Sequence, residues 1–203
     1  MINKMQNQPT NISDKVAYSL TMCFRWFADT FFAKRYGHRA VVLETVAGVP
    51  GMVAGMWTHL KSLRQLRSGY GPTIRTLLSE AENERMHLMI FIAIINPNRF
   101  ERWLIIFAQF IFWHFYFFLY IFFPKIAHRM VGYFENQAVI SYTHYLEEID
   151  AGRTENIPAP KIAIDYYGLS LDAKLRDVII AVRADEQGHA DVNHDMANQL
   201  TKN

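Results

Sequence analysis

Two short spacings in this chain could do metal chemistry: Glu84-Arg85-Met86-His87 and Glu186-Gln187-Gly188-His189. With 10 Glu and 8 His, chance gives roughly 0.4 such Glu-x-x-His spacings in a chain of this length. Residues three apart share a helix face, so each pair presents a carboxylate and an imidazole to one point. Two such helices facing each other offer four ligands. A carboxylate-bridged two-metal site in a four-helix bundle needs one more Glu from each of two further helices. Glu44, inside the apolar run Val41 to Val46, and Glu135, directly after Tyr133 and Phe134, are the candidates. A charge on such a face is out of place unless it is paired or metal-bound. The order is then Glu44, Glu84 with His87, Glu135, and Glu186 with His189. An oxygen-rich set with two imidazoles suits iron or manganese better than zinc or copper. One Glu-x-x-His alone is usually a solvated helix face; two of them with two interior glutamates are a different matter. His59, His114, His128, His144 and His194 fall outside ligand spacing and read as structural, and Glu80, Glu82, Glu147 and Glu148 read as solvated.

The elements that must position these residues are helical. Strand alternation is scarce, and the spacing predicts six main helices. The first covers about 15–37 and the second about 41–67, with Pro50 kinking it between Gly48 and Gly51. The third begins at Pro72 after a Gly-Tyr-Gly break and runs to about Ile95. Asn96-Pro97 should start the fourth. The fifth should begin near Gly132 and end before Gly152, a connecting segment should run from Ala151 to Ser170, and Ser170 should cap a sixth helix that reaches the C-terminus.

Composition sets the rest apart. The chain has 203 residues, enough for one domain, and a net charge of +2, which gives no basis for a nucleic-acid partner. Its 1 Cys excludes an internal disulfide framework, and Cys23 is expected to be a free, buried thiol. Aromatic residues make up 14%, and they cluster between Phe100 and Phe123. Leu104 to Phe123 carries only Gln109 and His114 as strongly polar interruptions and, as a helix, would be about 30 Å long, the thickness of a bilayer core. Basic residues flank it on both sides (Arg99 and Arg102, Lys125 and Arg129), so the asymmetry that orients a spanning helix is missing. Arg102, Gln109, Tyr116 and Tyr120 fall on one side and Phe, Ile and Trp on the other. A helix lying in the membrane interface has this pattern, and so does a spanning helix packed on a partner. Leu20, Phe24, Phe27 and Phe31, with Trp26 and Phe32 beside them, form a second apolar stripe, followed by basic Lys34, Arg35, His38 and Arg39. The first 15 residues are polar, with neither a signal-peptide core nor an arginine-rich transit pattern.

Several segments resemble the alternative oxidases: Leu43-Glu44-Thr45, Asn83 to Leu88, Arg183 to His189, Thr45 to Met52, Ala127 to Tyr133 and Pro158 to Pro160. The resemblance covers about residues 25–195. It implies a cyanide-insensitive quinol oxidase with two non-haem iron ions, bound to one membrane leaflet, usually as a homodimer. It also implies that Glu44, Glu84, Glu135 and Glu186 are the carboxylate ligands, with His87 and His189 as the imidazoles at the site. Tyr142 would be the redox-active tyrosine, and Asp185 would orient its neighbours by hydrogen bonding. Arg39, Leu43, Phe134, Ala138 and Ser141 would line the quinol pocket. Three departures stand out. The family's run of three glutamates is here Glu135-Asn136-Gln137, Tyr167 stands where tryptophan is common, and the regulatory cysteines of plant members have no match.

The expectation is therefore an all-α, ferritin-like four-helix bundle with a di-iron carboxylate centre and two additional membrane-facing amphipathic helices, monotopic. It would be a single domain over 1–203 with 1–14 flexible. Ubiquinol and O2 are the expected partners, with the lipid of one leaflet and a second copy of the chain. The expected location is the cytoplasmic face of a bacterial inner membrane, or the matrix face of the mitochondrial one if the chain is organellar. The ligand order omits the first and fourth helices, which favours the in-plane reading of the aromatic one. A different di-iron enzyme, such as a quinone-precursor hydroxylase, or a non-catalytic iron-binding bundle would share the Glu-x-x-His pairs.

Overall fold

The computed structural model describes residues 8–32, 36–95 and 97–200. Seven α-helices and no strand occur among them: α1 Ile12–Phe32, α2 Tyr36–Gln65, α3 Gly71–Ile95, α4 Arg99–Phe122, α5 Pro124–Asp150, α6 Lys161–Tyr167 and α7 Leu175–Gln199. The all-helical expectation holds. The chain divides into two compact units, Met1–Tyr36 with Lys125–Asn203, and Gly37–Pro124.

In the second unit, α2 and α3 approach closely. A Cβ added at Gly51 would run into the carbonyl oxygen of Leu77 and come within 3.0 Å of the Ala81 side chain. Only glycine permits that approach. Pro50 lies inside α2 as expected. Helix α4 turns Phe112, Tyr116 and Tyr120 inward, and the Gln109 amide donates to the Thr45 carbonyl at 3.1 Å. The hydroxyls of Thr58 and Tyr120 meet at 3.3 Å, and burial raises the Tyr120 pKa. The opposite face of α4 is an exposed apolar sheet of Trp103, Ile106, Phe107, Phe110, Ile111 and Phe118. Arg102, expected on the inward side, is exposed, because it sits in the first turn of α4, where a cation is better hydrated than buried.

In the first unit, α1 is fastened to α5. Thr21 donates to the Met130 carbonyl at 3.3 Å, Tyr18 packs edge-on to Tyr133, Phe24 packs on Phe134, and Arg25 donates to Gln137. The apolar stripe predicted for α1 is therefore divided: Phe24 packs inward, whereas Trp26 and Phe27 are each 60% exposed. The side chains of Phe31 and Phe32, and residues Lys34, Arg35 and Asn96, lie outside the described residues. Cys23 is exposed rather than buried, because it shares the outward side with Trp26 and Phe27. Within 1–14, α1 already begins at Ile12, and the buried Asp14 pairs with Arg129 at 3.0 Å.

Several boundaries differ from expectation, and α2 begins at Tyr36 rather than near Val41. The fourth helix starts at Arg99, two residues beyond Pro97. The fifth starts at Pro124, whose fixed φ suits a first turn, so Gly132 lies inside it. There it makes room for His194; an added Cβ would stand 2.7 Å from that ring. The last helix starts at Leu175. Ser170 bonds Asp172 instead, and the Asp177 carboxylate accepts from the Lys174 N–H at 2.9 Å, closing the first turn. The connecting segment contains the short α6, ended by Gly168 in a left-handed conformation at φ 63°.

Candidate metal centre

The two positions of Glu-x-x-His on α3 bring Glu84 and His87 to one inward face, and Glu44 reaches them from α2. The Nδ1 of His87 lies 3.4 Å from a Glu44 carboxylate oxygen and 3.5 Å from one of Glu84. The three offer ligand atoms within 4.8 Å of one another. His87 is 0% exposed, Glu84 2% and Glu44 5%. Two carboxylates crowded beside an imidazole at this depth carry a large desolvation and repulsion cost, which a bound cation offsets. This donor set fits iron: oxygen-rich, with one imidazole, on two rigid helices held together by Gly51. Arg39 is buried on the same helix as Glu44, five residues before it, and Leu43 is half-buried.

In the other unit, α5 buries Glu135 and Tyr142, each 5% exposed. The seven-residue step between them puts both on one face. Phe134, Ala138 and Ser141 form the half-buried stripe beside it. Helix α7 buries Glu186, with His189 half-buried one turn on. Tyr167, at the end of α6, donates its hydroxyl to an Asp185 carboxylate oxygen at 2.8 Å. The phenol thus occupies the place of the tryptophan common in the resembling family and still brings a donor.

A polar network beside these residues was not visible from spacing. Arg129 donates to Asp14, to Asn198 at 2.5 Å, and to Nδ1 of His194 at 3.0 Å. A guanidinium only donates, so Nδ1 accepts and the proton sits on Nε2. The side-chain amide nitrogen of Asn136 stands 2.8 Å from Nε2, and turning the amide over puts its oxygen there to accept this proton. Burial, with Arg129 beside the ring, pushes the His194 pKa down to about 4. His128 is also pushed down by burial. It bonds Asn193 at 3.0 Å, which in turn donates to the His189 carbonyl at 3.0 Å, tying α5 to the turn that carries His189. Of the five histidines read as structural, His128 and His194 are buried and hydrogen-bonded. The signal that could have marked this network is the pair Asn136-Gln137 where the resembling family has glutamates: both amides are buried and bonded, to His194 and Arg25. His59, His114 and His144 are exposed, and Glu82 pairs with Arg85 at 2.6 Å on the surface.

The family profile of the alternative oxidases matches residues 1–198. A curated relative named ubiquinol oxidase, mitochondrial, from Batrachochytrium dendrobatidis is 57% identical over 192 residues, 95% of this chain and 60% of that protein. Ubiquinol oxidase 1c, mitochondrial, from Arabidopsis thaliana is 53% identical over 191 residues, 94% of this chain and 58% of the relative. Ubiquinol oxidase 2, mitochondrial, from Glycine max is 53% identical over 186 residues, 92% and 56% respectively. The chain thus spans less than two thirds of the length of these relatives. With the profile matched over nearly its whole length and a buried Glu44, Glu84 and His87 cluster in the matched region, the chain belongs to the alternative oxidase family.

Proposed function

We propose that the chain is a membrane-bound ubiquinol oxidase that reduces O2 to water at a non-haem di-iron centre, insensitive to cyanide and moving no protons across the membrane. The observation that carries this reading is the buried Glu44, Glu84 and His87 group in a chain of this family. In this reading Glu135, Glu186 and His189 complete the ligand set, so that residues 1–203 act as one domain. These residues would hold the iron pair, which would supply the redox chemistry by which two quinols give four electrons to one O2, yielding two quinones and two waters.

The chain's own residues do the rest. The Arg39 guanidinium and Ser141 hydroxyl donate to the quinol oxygens, while Leu43, Phe134 and Ala138 form apolar walls. Tyr142, shielded from water, gives an electron and a proton together to O2 as its O–O bond breaks and takes both back from quinol. Asp185, held by the Tyr167 hydroxyl, orients its neighbours. The apolar face of α4, with exposed Trp26 and Phe27 on α1, supports binding to one leaflet. That leaflet is the cytoplasmic side of a bacterial inner membrane, or the matrix side in a mitochondrion. A homodimer is supported by a second apolar patch, where Met52, Met56, Leu60 and Leu78 surround a shallow hollow of about 270 Å³.

The test is oxygen uptake by purified, iron-analysed protein with ubiquinol, with and without cyanide. Uptake that cyanide leaves unchanged is the expected result. A hydroxylated ring as product instead of quinone would overturn it. Glu135→Ala retaining its iron and full activity would overturn the ligand set.

A further inference from the structure

His114 is the one strongly polar side chain in the middle of the exposed face of α4. At 100° per residue it lies within about 40° of Trp103, Phe107, Phe110 and Phe118 around the helix. All four of these are more than half exposed, and His114 is exposed too. Its Nδ1 is 2.7 Å from the Phe110 carbonyl. A carbonyl only accepts, so Nδ1 carries the proton, and Nε2 of the neutral ring is left as an acceptor. Among the described residues Nε2 makes no hydrogen bond. The imidazole is flanked by the Phe110 ring at 4.5 Å and the Trp113 ring at 5.0 Å.

We propose that His114, with the rings of Phe110 and Trp113, forms a docking site on the outer face of α4 for the reduced, dihydroxy form of the quinone substrate and not for the oxidised form. An acceptor nitrogen in an apolar surface that lipid covers costs free energy until a donor reaches it. A quinol brings an O–H donor, a flat ring that packs on aromatic faces, and an apolar tail that lies along Ile106 and Ile111. A quinone brings only carbonyl acceptors, which Nε2 cannot bond. The surface therefore takes up substrate and lets product go. Lipid phosphate and ester oxygens are acceptors as well and do not compete, whereas a lipid headgroup hydroxyl would. The inference rests on the quinol oxidase reading, and it adds a site separate from the pocket residues Arg39, Leu43, Phe134, Ala138 and Ser141.

The test compares wild type, His114→Phe and His114→Gln in phosphatidylcholine vesicles, which offer no headgroup hydroxyl. Loss of one neutral hydrogen bond raises KM for a short-tailed ubiquinol about three- to tenfold in His114→Phe, with kcat unchanged. His114→Gln, whose amide oxygen accepts, stays close to wild type. In anaerobic protein labelled with nitrogen-15 at histidine, the resonance missing from His114→Phe moves when ubiquinol is added and stays when ubiquinone is added. An unchanged KM in His114→Phe, an equal response to ubiquinone, or a full response to phosphatidylglycerol alone overturns the proposal. If wild type consumes no oxygen with ubiquinol, the oxidase reading fails on that result, while the nitrogen resonance still decides whether quinol docks.

Discussion

Helices α2 and α4 are both long and apolar enough to cross a bilayer, yet 67% of the apolar stretch is buried in α2 and 17% in α4. Their side chains explain the difference. Helix α2 is built of Gly48, Pro50, Gly51, Ala54 and Gly55 among valines, so a neighbour can approach its backbone, and it buries Arg39, Glu44, Thr45 and Thr58 as well. Helix α4 is built of large rings, and among its described side chains only Phe112, Tyr116 and Tyr120 are buried. Hydropathy alone does not separate a helix that forms a core from one that faces lipid. Small residues and unexpected charges mark the first; a broad face of exposed large apolar side chains marks the second.

The largest effect should come from the polar side of the buried pair. Glu84→Ala should lower iron content to at most half. It should also cut quinol-dependent oxygen uptake by at least about 100-fold, because even residues that only support metal ligands cost 10- to 100-fold. Metal analysis beside an oxygen electrode reads both; normal iron would mean that α2 and α3 bury this cluster for another reason. Gly51→Val forces a side chain against the Leu77 carbonyl and should cost about 3 kcal/mol in denaturant unfolding. A neutral outcome would show that small residues do not set the approach of α2.

Buried polarity should also be sensitive to acid. The His194 pKa falls from the usual 6.5 to about 4 in the folded protein, so the unfolded chain takes up the proton first. The stability held by the neutral ring is complete above pH 6.5 and is lost as pH falls toward 4, by up to about 1.4 kcal/mol per unit. His194→Gln should flatten that slope in melts recorded across the window. The exposed face of α4 should behave in the opposite way. Phe107→Ser should leave detergent-solubilised stability within about 0.5 kcal/mol but weaken vesicle binding by about 2 kcal/mol in a flotation assay. The reverse pattern would mean that this face packs on protein. The smallest effect is at the seam between the two helices, where Tyr120→Phe should cost about 1 kcal/mol through the lost bond to Thr58.

What could be read from the sequence was local. Glu84 with His87, and Gln109 with Tyr116 and Tyr120, follow helical spacing, and the structure puts each set on an inward face. Glu44 was legible as a charge among valines. Pro124 was hidden as a helix start by the aromatic run before it, and Ser170 looked like a cap although Asp177 closes that turn. Cys23 was expected to be a buried free thiol, but it lies on the outward side of α1 with Trp26 and Phe27. The Asp14, Arg129, His194 and Asn136 network joins residues from three helices far apart in the chain, and no local period announces such contacts.

The missing side chain at Gly51 bears on the order of events when the protein matures. Backbone contact between α2 and α3 fixes how far Glu44 stands from Glu84 and His87, and that contact forms from peptide and methyl groups alone. In the proposed reading, the spacing of the metal-holding side chains is therefore a property of the helix scaffold itself. Chelation is then expected to strip the centre and leave the helices standing, ready to be refilled, with circular dichroism before and after as the check.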